Sequence, residues 1–381
     1  MGEEFFGNVA SLIEQARKYV GRTADLTMCV TYFEIGRMIV EEEQGGKARA
    51  GYGRGLLKEL SAYLGKRFGK GFSETNLRSA RKFFQVYSPS IRQTMSDELD
   101  STPKNQIQQT MSAELKIVQK NQTLFSQSYP FTLSWSHYLI LMRIQNEQER
   151  RFYEIEATQQ QWTFRQLQRQ YGSSLYERLA LSRDKDAVMK LAKQGQVLEK
   201  PEDMLKNPLV LEFLGMAEDS IYSETDLESA IISKLQIFLL ELGKGFLFEA
   251  RQKRFTFDED HFIVDLVFYN RLLQCYVLID LKTEKLKHQD LGQMQMYVHY
   301  FDRYVKTEHE KPTVGILLCR EKNDSVVELT LPDNSNIYTS EYSLYLPDKS
   351  LLQQKLSEWT QEFEDAQAIL KAAKGSDSNE V

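Results

Sequence analysis

Apolar positions recur at three- and four-residue spacing from Phe5 to Tyr87, as in Tyr32, Ile35, Gly36 and Ile39 and again in Leu56, Leu57, Leu60 and Leu64. That period predicts an all-α unit. Between Ser88 and Tyr129 it gives way to polar text rich in Ser, Gln, Thr and Asn, inside which Ile91 to Leu99 is imperfectly repeated as Ile107 to Leu115. Such a tract reads as an expandable linker with at most short helices and no chemistry. Helical spacing resumes from Leu133 to about Leu181, with Trp135, Tyr138, Leu139 and Met142 on one stripe and Phe152, Ile155 and Glu156 opening another. These helices are expected to pack back on the first unit. A charged connector with Pro201 and Pro208 follows, and then the period changes. A helix from about Asp226 to Leu242, strands rich in Phe, Val, Ile and Tyr up to Lys282, a helix from about Asp290 to Tyr304 and a strand from Val314 to Cys319 give the order αβββαβ. A last amphipathic helix spans roughly Lys349 to Ala373, and the residues after it read as a disordered tail.

The expected architecture is therefore α+β and multidomain. A helical N-terminal domain covers 5–185, interrupted by the linker at about 88–130; a mixed α/β domain covers 205–348, and a C-terminal helix 349–374 offers a surface for self-association. A chain of 381 residues that is 41% hydrophobic and 27% charged has the mix of an ordinary globular protein. Its net charge of -6 excludes coating by nucleic acid along the whole chain, so charge is informative only region by region. Cys29, Cys275 and Cys319 lie far apart in apolar runs, as buried reduced thiols do, and the five histidines lack ligand spacing, which argues against zinc. The N-terminus lacks the basic head and apolar stretch of a signal peptide, and Lys234, Glu241 and Lys244 interrupt the apolar run from Ile231 to Phe248. A cytoplasmic protein with no membrane segment is expected.

One region is strongly basic. Between Lys47 and Lys82 stand Lys47, Arg49, Arg54, Lys58, Lys66, Arg67, Lys70, Arg78, Arg81 and Lys82, against only Glu59 and Glu74. The text reads as helix, glycine-containing turn and a second helix capped by Ser73, which is helix-turn-helix-like, with Thr75, Asn76, Arg78 and Ser79 where base edges are read. DNA contact through Arg54, Lys66, Arg67, Lys70, Thr75, Asn76, Arg78, Arg81 and Lys82 is the sharper reading. A solvated helical hairpin is the plainer one.

The chemistry concentrates between His261 and Tyr297. Period-2 alternation puts Tyr276, Leu278, Asp280 and Lys282 on one face of a strand and Val277, Ile279 and Leu281 on the other. A hairpin turning about the bond between Leu272 and Leu273 leaves Asp265 and Asp280 equally far from the turn, hence directly opposite. Two carboxylates and an ammonium then converge. Carboxylates are hard ligands for Mg²⁺ or Mn²⁺, the metal activates a water, and a lysine steadies the developing negative charge. Acids flanked by such apolar text need a cation beside them, whether the metal or the lysine. The competing reading is a structural ion pair between Asp280 and Lys282, with Asp265 at a strand end.

The run from Phe262 to Tyr297 resembles the PD-(D/E)xK nucleases and, more narrowly, the YhcG-type bacterial family, which joins this core to a helical N-terminal domain. The upstream blocks Glu34 to Gly46, Tyr52 to Ser61, Phe68 to Arg78, Leu133 to Tyr138 and Trp162 to Gln170 resemble that family too. The resemblance implies a restriction-endonuclease-like αβββαβ domain with a mixed sheet, DNA as partner, and Mg²⁺ or Mn²⁺ with no organic cofactor. It implies Asp265 and Asp280 as metal-binding acids, Leu281 offering its carbonyl to the metal, and Lys282 as the signature lysine. Gln293 and Tyr297 match a Gln-xxx-Tyr feature of the following helix, where four-residue spacing gives them one face. Glu228 is a further acid in junction-resolving relatives, although Thr225 to Glu228 also has the spacing of a capping box. Val264 stands where the class name has proline. The activity implied is DNA phosphodiester hydrolysis; the alternative is a catalytically silent DNA-binding or assembly protein that keeps the fold as a scaffold.

Overall fold

A computed structural model of the chain describes residues 2–45, 50–99, 129–181, 185–206, 208–216, 222–257, 259–332 and 335–358. They fall into two compact units, 1–150 and 151–381. In unit 1, α1 (Gly2–Gly45), α2 (Ala50–Phe68), α3 (Glu74–Leu99) and α4 (Trp135–Leu141) pack around a knot of rings. Phe83 lies 4.8 Å from Phe131 and 5.0 Å from Tyr138, while Tyr32 stacks on Trp135 at 4.4 Å between centroids. Gly36 is what lets α1 approach α3: a Cβ there would meet the Ala80 carbonyl oxygen at 2.1 Å. Ser73 caps α3 as its position suggests, accepting from the Asn76 N–H at 3.3 Å. The helix then runs further than the polar text implies, passing through Pro89 to Leu99. Phe83, Tyr87 and Ile91 are all buried and follow one another at four-residue steps, so apolar anchoring carries the helix across the proline and into the first copy of the duplication. The rest of the linker, 100–128, and the end of the C-terminal helix and the tail, 359–381, lie outside the described residues.

Unit 2 is built on six strands, β1 (Leu209–Val210), β2 (Phe246–Phe257), β3 (Asp260–Asn270), β4 (Cys275–Lys285), β5 (Val314–Glu321) and β6 (Ile337–Ser343), in the order β1-β6-β5-β4-β3-β2. The β2-β3-β4 part is antiparallel and the β4-β5-β6-β1 part parallel, so the sheet is mixed. Helices α9 (Glu224–Ser233) and α10 (Leu235–Leu242) cover one face, burying Leu227, Ile231 and Phe238 against Leu266, Phe268, Val277, Ile279 and Leu281. Helix α11 (His288–Tyr304) covers the other, burying Leu291, Met294, Tyr297 and Phe301 against Val264, Val267, Leu278 and Leu317. The single helix expected from Asp226 to Leu242 is thus two, broken at Lys234.

Helices α5 (Glu147–Gln159), α6 (Phe164–Gly172), α7 (Leu175–Leu181) and α8 (Lys185–Gln194) precede the sheet. From Arg151 onward they belong to its compact unit. Buried charges tie them there. Arg178, fully buried, meets Glu241 of α10 at 2.5 Å, and Arg169 meets the same carboxylate at 3.0 Å. The Lys206 ammonium donates to the Glu241 carbonyl, and the Val210 N–H donates to its carboxylate at 3.0 Å. Lys244 pairs with Glu156 of α5 at 2.7 Å. Past β6 the chain is helical over 349–358, opened by Asp348, which accepts from the Ser350 N–H at 2.8 Å.

Candidate active site

The site is a fork between two strands. Pairing of β3 with β4 runs from Asn270↔Cys275 to Leu266↔Ile279 and stops, although β4 continues beside β5 to Lys282 and β3 continues beside β2 to Asp260. The next pair in that register is Asp265 and Asp280. At Asp265 the side-chain alternation of β3 slips, since Val264 packs under α11 while Leu266 packs under α9 and α10. On β2 the facing residue is Gln252, whose φ of 46° is left-handed and marks a local irregularity. With the ladder ended, the Leu281 N–H has no β3 carbonyl opposite it and donates instead to the Asp265 carboxylate at 2.8 Å.

Asp280 is 3% exposed and Lys282 reaches back to it at 2.9 Å, as their shared face requires. Burial and the neighbouring Asp280 carboxylate push the Asp265 pKa up, against the pull of the Leu281 N–H and Lys282. Asp280 is likewise raised, by burial, despite the ammonium beside it. Lys282 goes the other way: burial pulls its pKa down, but Asp280, together with Glu224, holds it above the usual lysine range. It is therefore a fixed cation in this arrangement. Two acids stand beside one lysine, which pairs with Asp280, so ionising both acids leaves the pocket with surplus negative charge and with oxygens as its side-chain ligands. That donor set fits a hard divalent cation such as Mg²⁺ or Mn²⁺. Among the described residues no cluster of three or more His, Cys, Asp or Glu has metal-ligand geometry.

Glu228 is buried but engaged, with Arg251 at 2.8 Å and the Gln252 amide at 2.6 Å. The first-helix acid that reaches the lysine is Glu224, 3.5 Å from the Lys282 ammonium. The capping box lies two residues earlier than expected. Ser223 caps α9 and Asp226 closes the box, with 3.1 Å and 2.9 Å hydrogen bonds, so Thr225 and Glu228 do not form it. Glu224 thereby falls in the exposed first turn, where its charge also suits the helix dipole. Gln293 and Tyr297 do share a face of α11: the Gln293 amide donates to the Tyr297 hydroxyl, which donates to the Ile263 carbonyl of β3 at 2.8 Å. Burial and the nearby Asp280 charge push the Tyr297 hydroxyl up to about 12, so it stays a neutral donor.

In unit 1 the basic candidates are unevenly committed. Lys66, Lys70, Thr75 and Lys82 are exposed. Arg67 bonds the Tyr63 hydroxyl at 3.1 Å and lies over Phe68; Arg78 pairs with Glu74 at 3.1 Å and Arg81 with Glu43 at 2.7 Å. Asn76 spends its side-chain amide on the Gly71 carbonyl at 2.8 Å, fixing the turn between α2 and α3. The Arg54 side chain lies outside the described residues, as do Lys47 and Arg49. No helix among the described residues is long and apolar enough to cross a membrane, and all three cysteines are buried and free.

Comparison with known proteins agrees with this geometry. Residues 202–357 match the YhcG PDDEXK nuclease domain family and residues 8–178 the DUF1016 N-terminal domain family. The chain is 40% identical over 356 residues to a protein of Escherichia coli (strain K12) named "Putative nuclease YhcG", covering 93% of each. Among solved structures it is similar to a repair endonuclease from Pyrococcus abyssi, with 20% identity, a TM-score of 0.23, and 34% of this chain aligned with 50% of that one. An EndoMS complex with double-stranded DNA shows 16% identity and a TM-score of 0.25, with 35% of this chain and 50% of that chain covered. A helical N-terminal region, a mixed-sheet core of αβββαβ order, and identity along nearly the whole length make this chain a member of the YhcG family of PDDEXK nucleases.

Proposed function

We propose that this chain hydrolyses DNA phosphodiester bonds with Mg²⁺ or Mn²⁺ held by Asp265, Asp280 and the Leu281 carbonyl. The observation that carries the reading is the fork, where β3 leaves β4 and two carboxylates, Asp280 buried and Asp265 half-buried, stand beside one ammonium that pairs with Asp280. A saturated structural ion pair needs no second acid, and burying one without a counterion costs several kcal/mol, on the order of the desolvation penalty of an ion. When bound, the metal supplies neutralisation of the scissile phosphate and acidification of the attacking water.

The chain's own residues do the rest. Leu281 fixes the rotamer of Asp265 through its N–H. Lys282, kept cationic by Asp280, stands ready to stabilise the negative charge that develops on the phosphorus oxygens and to orient water, a role for a charge and not for a base. Tyr297 braces β3 through the Ile263 carbonyl, and Gln293, exposed beside it, is the side chain of that pair able to meet a phosphate. Glu228 holds Gln252 and Arg251 behind Asp265 and acts by positioning. In unit 1, Lys66, Lys70 and Lys82 offer exposed charge to the DNA backbone, with Thr75 at the start of α3 beside them.

The test is cleavage of labelled duplex, single-stranded and branched DNA by the full chain, with Mg²⁺, with Mn²⁺ and with chelator. Metal-dependent cutting that disappears in Asp280→Ala and in Lys282→Ala is expected. Cutting that survives both substitutions sinks the assignment. Salt-sensitive binding with no cutting under any metal favours the silent scaffold.

A further inference from the structure

The face of α11 that begins at the site continues into an aromatic cavity. Gln293, Tyr297, Tyr300 and Tyr304 follow one another at four-, three- and four-residue steps, which is one stripe of a helix, and eleven residues span about 16 Å. Opposite them, the far end of β2 supplies Phe255 and Phe257. The rings form a series: Tyr297 meets Phe255 edge-on at 5.7 Å, Phe255 lies flat on Tyr300 at 4.0 Å and 16°, and Phe257 faces Tyr304 at 6.4 Å. Phe255, Phe257, Tyr300 and Tyr304 line a cavity of about 360 Å³, together with His299, Arg303 and Gln295. Its depth is partly the work of Gly292, where a Cβ would meet nothing within 4 Å.

Two of these rings are costly where they stand. Phe257 is 54% and Tyr304 61% exposed, while Phe255 beside them is buried. Paired aromatic faces at an open edge, with a guanidinium and an imidazole at the rim, match what an unpaired nucleobase needs: flat apolar walls for the ring and cationic or polar groups for the phosphate. The series starts at Tyr297, whose hydroxyl bonds the Ile263 carbonyl two residues before Asp265 on β3, so a strand laid along it would have its phosphate at the acids and a base some nucleotides away in the cavity.

We propose that this cavity is a stacking subsite for an unpaired nucleobase of the DNA strand being cut, and that single-stranded or frayed DNA is the preferred substrate class. The proposal rests on the nuclease reading for the strand's path, but its test does not read cleavage. Full-length protein in chelator is titrated into a short single-stranded oligonucleotide carrying 2-aminopurine, and into the blunt duplex of the same sequence. Stacking quenches the fluorescence of the single strand. The Phe257→Ala/Tyr304→Ala pair is expected to abolish the quench and weaken single-strand binding about 10-fold, within the range for loss of base stacking. Duplex affinity should change less than about twofold, and Phe257→Tyr should restore the quench.

Both altered side chains are largely exposed, and an unchanged melting temperature with unchanged duplex binding identifies a folded variant. Retained quench, equal loss on duplex and single strand, or a wild-type chain that binds no single strand overturns the proposal. So does light scattering in which the same pair of substitutions converts an oligomer to a monomer, since the rings then cover a second copy. If the wild type stacks the base and cuts nothing with either metal, the nuclease reading fails and the subsite stands.

Discussion

Two of the places where unit 2 buries charge are built on opposite plans. Around Glu241 the carboxylate receives Arg178, Arg169 and the Val210 N–H, and the two arginines reach on to the carbonyls of Pro208, Val210 and Ser173. Cations outnumber the buried acid, and donors find acceptors on the backbone. At the fork, Asp265 receives one N–H and Asp280 one ammonium, and acids outnumber cations. Asp280 is nearly as buried as Glu241, so burial of a carboxylate does not by itself separate a structural cluster from a chemical one. What separates them is the sign of the surplus and whether partners are exhausted: a network completed from within the chain is finished, whereas one that keeps excess negative charge in a low-dielectric place asks for a cation from outside.

The comparison breaks most visibly under substitution. Asp280→Ala and Lys282→Ala should each lower DNA cleavage in Mg²⁺ by about 10³-fold, the order seen when a group stabilising transition-state charge is removed; Asp280→Ala relieves the excess of acids and should keep thermal stability, whereas Lys282→Ala strands the buried Asp280 and should cost some of it. Arg178→Ala should do the reverse. It strands the fully buried Glu241 carboxylate, and breaking a buried pair costs about 3–5 kcal/mol, to be read in urea unfolding, while any surviving folded protein cuts DNA at the normal rate. If Arg178→Ala abolishes cleavage and spares stability, the two clusters have been assigned backwards.

Titration sharpens the same contrast at smaller amplitude. Burial opposes the charge of Glu241, but Arg178, Lys206 and Arg169 outweigh it and hold the pKa down to about 2 from an ordinary 4.5. A depressed carboxylate contributes stability that is whole above 4.5 and lost as pH falls toward 2. Burial instead brings Lys206 down to about 8 from 10.5, against the pull of Glu241. The folded chain then sheds that proton before the unfolded chain does, so this residue makes stability rise as pH climbs from about 8 to 10.5. Urea midpoints measured across both windows should fall in the acid one, and Lys206→Met should remove the alkaline rise.

What could be read in advance follows from how local each feature is. The Asp265 and Asp280 register needs only a period of two and equal distance from a turn, both written between Val264 and Lys282. The fork was not legible, because it depends on β3 changing faces at Asp265 opposite the left-handed Gln252, and neither residue type announces that. The capping box failed for a different reason: Ser223 to Asp226 and Thr225 to Glu228 fit the same spacing, and only packing of Leu227 and Ile231 against the sheet selects the earlier frame. Helical spacing found α5 to α7 but not their neighbours, since Arg169 and Arg178 look like surface residues until Glu241, far along the chain, is brought against them. The start of the polar tract misled for the converse reason, its composition being overruled by Tyr87 and Ile91 on the buried side of α3.

Glu228 is the finest test of the contrast, because it sits on the border between the two plans. Its carboxylate is fully buried like Glu241 and, like Glu241, is met by an arginine and an amide, yet the amide belongs to Gln252, the residue facing Asp265. If Arg251 and Gln252 complete it, Glu228→Gln keeps the packing, weakens the hold on Gln252 and lowers cleavage about 10-fold, the scale of a group that orients a metal ligand from behind. Mn²⁺ affinity, followed by calorimetry, should drop by no more than the same factor. If Glu228 swings onto the metal, cleavage and Mn²⁺ affinity should fall as far as in Asp280→Ala. Measuring both variants side by side decides whether the fork borrows a third acid from α9 or works with the two that the strands bring together.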